Sequence, residues 1–417
     1  MESLLYFVVC ANVWIGFLES HQILSSGGIK DWWESTLIYQ IYPRSFKDSN
    51  GDGYGDLNGI LERLDYVKEI GVDTIWIQPF YKSPMADMGY DVADYRAVDP
   101  MFGNMDDFKR LLKNSHEKGM KVIVDFVPNH SSDQCEWFKL SEQRIEPFTD
   151  FYVWKDGKRI NETHTTHPNN WDVLRYWLDL GVDGFRVDAV NHLLEAEHYA
   201  DAPAGTKGGG LGVIEGVSLV YTLRQPGNLQ LIKSWRAVLD EYAKKDGQAR
   251  LLSTEAYDMP KILSLQLGNA TYPGAQIPFF VRMAWLDYDT TASKLDSYIH
   301  EMIESFPVRS FNWARDNHDN PRVSTRYYPE SVEAWNMLLL LMPGATCIYY
   351  GSELGMEDVH VRDNQRRDLQ NAGGDRTETR DGCRSPCSGV IPEMQVKNNA
   401  TCHGRPRNFP ALCVTQR

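Results

Sequence analysis

The segment GMKVIVDFVPNH (119–130) contains the pattern on which the expected architecture of the chain rests. A glycine closes a helical pattern, a short apolar run follows, and polar side chains come directly after that run. The same order of amphipathic helix, glycine and apolar run recurs along the chain. The runs that we interpret as strands are Thr36–Tyr42, Asp73–Gln78, Lys121–Val127, Gly184–Val190, Arg250–Thr254, Gln276–Val281, Ser310–Arg315 and Thr346–Tyr350.

These strands are apolar on both faces and alternate with helices, which predicts a parallel sheet. Eight such units favour a closed (β/α)8 TIM barrel with its chemistry at the carboxyl ends of the strands. A doubly wound open sheet is the alternative, but no G-x-G-x-x-G motif follows the first predicted strand.

The composition is that of a globular protein with a surplus of acidic groups. The 417 residues are 42% hydrophobic and 24% charged, and 43 Lys and Arg against 57 Asp and Glu give a net charge of −14. Because binding to nucleic acid requires a surplus of positive charge, we expect no nucleic-acid partner. The sequence indicates no particular oligomeric state.

The N-terminus is typical of a secreted protein. The apolar run from Leu4 to Leu18 is too short to span a membrane comfortably and fits a signal peptide, which we place at residues 1–22. We therefore expect a secreted or extracellular membrane-associated protein. Four N-glycosylation sequons agree with that route: Asn129, Asn161, Asn269 and Asn399.

Acidic side chains recur where the predicted strands end. Asp188, Glu255 and Asp319 each lie at or beyond the end of a different strand, and burying such groups for stability alone would be costly. Arg186 lies two residues before Asp188 and shares its face of the strand, so its guanidinium would keep Asp188 ionised as a nucleophile must be. Any one of these carboxylates alone could equally be a structural ion pair.

Four segments at these strand ends resemble the signature regions of the α-amylase superfamily, glycoside hydrolase family 13. Within that family the chain is similar to the insect maltases, which are secreted or membrane-attached α-glucosidases. The resemblance covers about residues 31–386. The segments are DFVPNH (125–130), GFRVDAVNH (184–192), TEAY (254–257) and NHDN (317–320).

The resemblance implies a catalytic trio. Asp188 would be the nucleophile, Glu255 the general acid/base and Asp319 the stabiliser of the transition state. A retaining glycosidase needs two such carboxyl groups about 5–5.5 Å apart. Glu255 would then have to keep a proton that Asp188 has lost, which requires different surroundings for the two groups.

The resemblance also implies how the sugar is held. His130 and His318 would hydrogen-bond the sugar hydroxyls, Arg186 would orient the nucleophile, and Tyr90 would offer its ring to the face of the glucose.

An exo-acting enzyme is implied by two further positions. Asp87 and Arg384 match the Asp and the late Arg that close the pocket beyond one glucose in exo-acting family members. Ala189 matches the Ala that, in this family, accompanies a preference for α-1,4 linkages.

A loop near the N-terminus carries oxygen donors at alternate positions, as the first half of an EF-hand loop does. The twelfth position is Gly59 and not Glu, so a true EF-hand is excluded. Some family members hold a structural calcium here, and a simple turn rich in Asp, Gly and Asn is the alternative. No cofactor is needed for the catalysis itself. The candidate calcium ligands are Asp48, Asn50, Asp52, the Tyr54 carbonyl and Asp56.

Two stretches depart from the family pattern. The insert between the third and fourth strands, residues 131–171, is shorter than usual, so the barrel would comprise residues 31–130 and 172–386. After it comes a divergent Cys-rich tail, residues 387–417, and we expect the usual C-terminal β-sandwich to be absent. Four cysteines in or beside this tail could form local disulfides, with the pairing left open: Cys383, Cys387, Cys402 and Cys413.

The expected function is that of an exo-acting retaining α-glucosidase. Its substrates would be maltose, sucrose or short maltooligosaccharides. One alternative is a non-catalytic relative, either a surface receptor or the heavy chain of an amino-acid transporter, and another is a truncated inactive isoform. Non-catalytic relatives typically lose the catalytic carboxylates, whereas this chain keeps Asp188, Glu255 and Asp319.

Overall fold

The computed structural model describes seven parts of the chain, separated by gaps. They are residues 31–152, 171–196, 203–204, 213–214, 217–327, 329–368 and 379–386. The predicted signal peptide, residues 153–170 of the insert and the tail from residue 387 lie outside the described residues.

Twelve strands occur among the described residues, eight of which form one sheet. They are β1 (Leu37–Ile41), β2 (Thr74–Ile77), β3 (Tyr81–Lys82), β4 (Asp94–Val98), β5 (Lys121–Phe126), β6 (Gly184–Val187), β7 (Val213–Ile214), β8 (Val217–Ser218), β9 (Leu251–Thr254), β10 (Ile277–Pro278), β11 (Asn312–Ala314) and β12 (Ala345–Tyr349).

Helices separate the strands of this sheet, and none that the structure describes is long and apolar enough to cross a membrane. The α-helices are α1 (Pro43–Phe46), α2 (Leu57–Glu62), α3 (Leu64–Glu69), α4 (Met105–Glu117), α5 (Glu136–Glu142), α6 (Trp171–Leu180), α7 (Gly227–Asp246), α8 (Pro260–Leu263), α9 (Ala292–Ser305), α10 (Val323–Arg326) and α11 (Val332–Leu341). Short 3-10 helices lie at Trp32–Ser35, Val190–His192, Ser264–Leu267, Arg282–Trp285, Val308–Ser310, Pro329–Ser331, Ser352–Leu354 and Asp363–Gln365.

The large sheet is parallel throughout and nearly closes on itself. Its strand order is β10-β9-β6-β5-β2-β1-β12-β11. The side chain of Asn312 joins the two end strands, because its Oδ1 accepts from the Phe280 N–H at 2.7 Å and its Nδ2 donates to the Pro278 carbonyl at 2.8 Å. The predicted (β/α)8 barrel is therefore confirmed, and the eight predicted strands all lie in it.

Helix α4 shows how the sequence directs the local structure. Asn104 caps the helix by accepting from the Asp106 and Asp107 N–H groups, and the Asp107 side chain accepts in return from the Asn104 N–H. The buried face includes Phe108 and Leu111, which pack on the barrel. Gly119 follows the helix with φ of +71°, a conformation that suits glycine at a helix end.

Asp183, just before β6, ties the helix α4 to the amino ends of two strands. Its carboxylate accepts from His116 Nε2 at 2.7 Å, Lys121 Nζ at 2.8 Å and the Val122 N–H at 2.9 Å. Burial by itself would raise the pKa of Asp183, but these hydrogen bonds outweigh it and lower that pKa below the usual value.

The free cysteines of the described residues are buried, namely Cys135, Cys347 and Cys383. Cys383 was a candidate for a local disulfide. Its thiol instead donates to the carbonyls of His318 and Arg380, at 3.3 and 3.1 Å. Cys387, Cys402 and Cys413 lie outside the described residues.

We predict that Asp183→Asn lowers the free energy of unfolding by about 1–3 kcal/mol at neutral pH, the usual cost of removing a partner from a buried polar cluster. Because the folded pKa of Asp183 is the lower one, its contribution is complete above the unfolded pKa of about 3.9 and is lost as the pH falls through the folded pKa. Urea unfolding across this pH range checks the prediction.

The exposed Asp289 provides the matched control, because Asp289→Asn makes the same chemical change at the surface. A difference between wild type and Asp183→Asn that stays constant down to the lowest pH would contradict the assignment.

Candidate active site

The carboxyl ends of three barrel strands bring the predicted carboxylates together. Asp188 directly follows β6, Glu255 directly follows β9, and Asp319 lies five residues beyond the end of β11. The residue after Asp188, Ala189, has φ of +48°, an uncommon conformation for a residue with a Cβ. This turn lets the Ala189 N–H donate to Glu255 Oε2 at 3.1 Å, which links the two strand ends.

Arg186 lies at the centre of this group and is 1% exposed. Its Nη1 contacts Asp188 Oδ1 at 2.6 Å and its Nη2 lies 3.5 Å from Glu255 Oε2. Nη1 also lies 3.4 Å from Asp125 Oδ1, and the guanidinium carbon lies 5.2 Å from the centre of the Trp76 ring. One buried cation thus faces three carboxyl groups, which is the compensation that burying it requires.

Glu255 is 8% exposed, and its surroundings favour the protonated form of its carboxyl group. Burial is the largest cause, and Asp188 and Asp319 add to it against the opposing charge of Arg186. Together they raise the pKa of Glu255 to about 7. A carboxyl group in this state can donate a proton near neutral pH.

Asp319 is held in the opposite state by its neighbours. Arg380 Nη1 and Arg384 Nη2 both contact its Oδ1 at 2.9 Å, and His318 Nε2 lies 3.2 Å from its Oδ2. Burial would raise its pKa, but His318, Arg384 and Arg380 outweigh burial and lower the pKa of Asp319 below the usual value. The site therefore contains one carboxyl that favours the acid form and one that stays ionised.

These side chains border a cavity of about 380 Å³ at the open end of the barrel. Six of the predicted site residues line it directly. Glu255 and Arg186 adjoin the cavity through their contacts with Asp188 and Ala189 and are not among its lining residues. The lining consists of Asp87, Tyr90, His130, Asp188, Ala189, Tyr257, His318, Asp319, Asn320 and Arg380.

The late arginine differs from the sequence-based prediction. We expected Arg384 to close the pocket with Asp87, but Arg384 is buried behind Asp319, where its Nε donates to the His318 carbonyl at 2.8 Å. The guanidinium that reaches Asp87 belongs to Arg380, with Nη2 3.3 Å from Asp87 Oδ1. Both arginines belong to RDGCRSP (380–386), and a motif cannot tell which of them points into the cavity.

Asp368 holds Arg380 in this position. Arg380 Nε and Nη2 donate to the two oxygens of Asp368 at 2.6 and 2.7 Å, which is a bidentate pair. Sequence reasoning did not identify Asp368, because no motif at position 368 signals it.

Tyr257 and Asn320 are two further lining residues to which the sequence analysis gave no role. Both lie inside quoted motifs, TEAY and NHDN, so the signal was present. Asn320 Nδ2 donates to the Tyr257 hydroxyl at 3.0 Å. The Tyr257 ring is stacked on Trp285 with centroids 6.0 Å apart, so an aromatic surface lies beside the carboxylates.

The chain is similar to known proteins in sequence and in fold. The family described as "Alpha amylase, catalytic domain" matches residues 40–173 and 171–389. Maltase A2 of Drosophila melanogaster is 37% identical over 439 aligned positions, which cover 91% of this chain and 77% of that protein. The salivary alpha-glucosidase of Aedes aegypti is 37% identical over 409 positions, covering 85% and 70%.

A solved structure shares the fold at a comparable level of similarity. The alpha-glucosyl transfer enzyme XgtA has a TM-score of 0.74 and 33% sequence identity to this chain. The match covers 85% of this chain and 75% of that one.

The proposed calcium loop contains the expected oxygen atoms, but its side chains are turned towards the loop itself. Asp48 accepts from the N–H groups of Gly51 and Gly53 at 2.6 and 2.9 Å, and Asp56 caps α2 through the Gly59 N–H at 2.7 Å. Within the described residues, no group of three or more His, Cys, Asp or Glu side chains is arranged to hold a metal. The donor chemistry suits Ca²⁺, and calcium binding by this loop stays a prediction.

We predict that EDTA lowers the melting temperature of the protein and that added Ca²⁺ restores it, because an ion bound only by the folded state stabilises that state by mass action. Asp52→Ala should abolish the response, since Asp52 is an exposed candidate ligand. The control is Asp289→Ala, which should keep it. Identical melting curves with and without EDTA would contradict the prediction.

Proposed function

Because this chain belongs to the α-amylase catalytic-domain family and is a glycoside hydrolase, we propose that it is an exo-acting retaining α-glucosidase. It would release terminal α-1,4-linked glucose from maltose, sucrose or short maltooligosaccharides. The relatives named maltase and alpha-glucosidase support this substrate class. Ala189, directly after the proposed nucleophile, supports the α-1,4 preference by its match to the family pattern.

One observation carries the proposal: a single guanidinium, that of Arg186, contacts both Asp188 and Glu255. A shared partner keeps the two carboxyl groups near each other, as a retaining glycosidase requires. The pKa of Glu255, raised to about 7, suits a general acid. The contact of Arg186 with Asp188 at 2.6 Å orients the carboxyl group that would act as the nucleophile.

The reaction would proceed in two steps. Asp188 attacks the anomeric carbon while Glu255 gives its proton to the departing glycosidic oxygen, which forms a glucosyl-enzyme ester. Glu255, now a carboxylate, then takes a proton from a water molecule that attacks the same carbon and frees Asp188. Asp319 stays ionised throughout, so its charge stabilises the positive charge that develops on the sugar ring.

Exo selectivity would come from the Asp87–Arg380 pair at the cavity wall. Arg380 contacts Asp87 and Asp319 together, so the wall is joined to the catalytic group. A chain of glucose units that continued past this wall would have to displace the pair. His130, Tyr90 and His318 line the same cavity and would contact the sugar bound there.

We further propose that the protein is secreted. Secretion is supported by the similarity to a salivary alpha-glucosidase and by the apolar N-terminal run from Leu4 to Leu18.

The experiment that tests the function is release of glucose from maltose by the purified protein. Asp188→Asn should reduce turnover by about 10⁴-fold or more, because the amide cannot form the ester intermediate. The exposed Asp289→Asn should leave turnover unchanged. A wild-type protein that melts cooperatively and releases no glucose would exclude the proposal, and an active Asp188→Asn would exclude the nucleophile assignment.

The activity should also depend on the protonation of Glu255. We predict that kcat/KM for maltose falls as the pH rises above the Glu255 pKa of about 7, because the acid form is lost. Glu255→Gln should lower kcat by about 10²–10⁴-fold and remove this alkaline limb. With 4-nitrophenyl α-glucoside, whose leaving group departs without protonation, Glu255→Gln should slow the glycosylation step less than it does with maltose. An alkaline limb that survives in Glu255→Gln would contradict the assignment.

The Asp87–Arg380 pair can be tested by a double-mutant cycle. We predict that Asp87→Ala and Arg380→Gln each raise KM for maltose by about 10-fold, and that KM of the double variant is little higher than either, since each removes the contact between these two side chains. Arg380→Gln should in addition lower kcat, because it also removes a positive charge beside Asp319. Arg362→Gln, which changes an exposed arginine, is the control. Fully additive effects would show that the two residues act separately.

A further inference from the structure

Four buried side chains form a continuous line of hydrogen bonds inside the barrel. Gln40 on β1 approaches His318, with its Nε2 3.0 Å from His318 Nδ1. The other ring nitrogen, Nε2, lies 2.7 Å from the Tyr90 hydroxyl, and this hydroxyl donates to Asp125 Oδ2 at 2.9 Å. Gln40 and Asp125 are both fully buried, so neither end of this line of hydrogen bonds is exposed to solvent.

The proton positions along this line follow from the Tyr90 hydroxyl. It has one proton and two lone pairs, and it has three neighbours. Asp125 in its ionised form can only accept, so it receives the hydroxyl proton. Gln78 Nε2, at 3.1 Å, can only donate. His318 Nε2 must therefore be the second donor to the hydroxyl oxygen.

His318 is then a neutral imidazole with its proton on Nε2. Burial holds the pKa of His318 well below its usual value, so the ring has one N–H and one lone pair. The lone pair on Nδ1 needs a donor, and the Gln40 amide supplies it. The Oε1 atom of Gln40 has no hydrogen-bond partner among the described residues. This agrees with an amide whose orientation is set by the hydrogen bond from its Nε2 to His318.

We propose that Asp125 is a positioning residue that acts through Tyr90 to fix the tautomer of His318, with the proton on Nε2. That proton lies between the Tyr90 hydroxyl and Asp319 Oδ2, which is 3.2 Å from Nε2. In the other tautomer a nitrogen lone pair would face the Asp319 carboxylate and repel it. The tautomer itself follows from the geometry, and its kinetic consequence rests on the proposed function.

Asp125→Asn is the sharpest test, because it exchanges one oxygen for an NH₂ group of nearly the same size. The Asn oxygen can still accept from Trp76 and Arg186, which contact Asp125 Oδ1. Its NH₂ group would then donate to the Tyr90 hydroxyl, which must in turn donate to His318 Nε2. The ring proton moves to Nδ1, and the Gln40 amide can turn its oxygen to accept it.

The tautomer is read by ¹⁵N NMR of protein labelled at histidine, with the His318 signals assigned by their loss in His318→Gln. Spectra are recorded above the Asp125 pKa of about 7. We expect Nε2–H in the wild type and Nδ1–H in Asp125→Asn. Asp183→Asn makes the same exchange at a buried carboxylate just before β6, beside the amino end of β5, and should keep the wild-type tautomer.

A proton on Nδ1 in the wild type would overturn the proposal, and so would an unchanged tautomer in folded Asp125→Asn. The wild-type spectrum decides by itself if that variant does not fold. We also expect kcat/KM for maltose to fall about 10- to 100-fold in Asp125→Asn, mainly through kcat, since Asp319 acts in the transition state. A wild type without turnover would exclude the proposed function and leave the tautomer test intact.

Discussion

The burial of the Arg186 guanidinium among carboxyl groups is the constraint on which the site depends. A charge with 1% exposure is tolerated only where opposite charges and hydrogen bonds replace water. Asp188 and Asp125 supply that compensation at 2.6 and 3.4 Å, with Glu255 at 3.5 Å. Each of these groups ends or follows a different strand, so the closed barrel is what brings them to one cation.

The carboxyl groups around Arg186 differ in their pKa values. Glu255 is buried beside other acids, which raises its pKa to about 7, whereas Asp319 has two further guanidinium groups at 2.9 Å and a lowered pKa. Two carboxyl groups beside one cavity thus have pKa values shifted in opposite directions. The proposed acid catalysis and charge stabilisation need this difference, which arises from burial and from the placement of two arginines of a single loop.

The barrel, and the meeting of the candidate carboxylates at one end of it, could be predicted from sequence because both follow from local patterns. Five of the eight predicted strands are short apolar runs that follow a glycine, and Asp188 and Glu255 lie at the ends of two of these runs. The closure of the sheet through the Asn312 side chain could not be predicted, because it joins strands by a contact without a periodic signal. The choice of Arg384 as the residue that reaches Asp87 failed for a related reason, because loop geometry, and not the motif, places Arg380 there.

Arg380 both forms part of the cavity wall and sets the charge environment of Asp319. Its guanidinium contacts Asp87 and Asp319 and is held by Asp368 through two hydrogen bonds. A substitution chosen to open the cavity would therefore also remove positive charge from the ionised group. Under the proposed function, Arg380 both limits the length of the bound oligosaccharide and keeps Asp319 ionised, so a substitution at Arg380 cannot change the first without affecting the second. Shortening Asp87 while keeping Arg380 and Asp368 is the route that separates them.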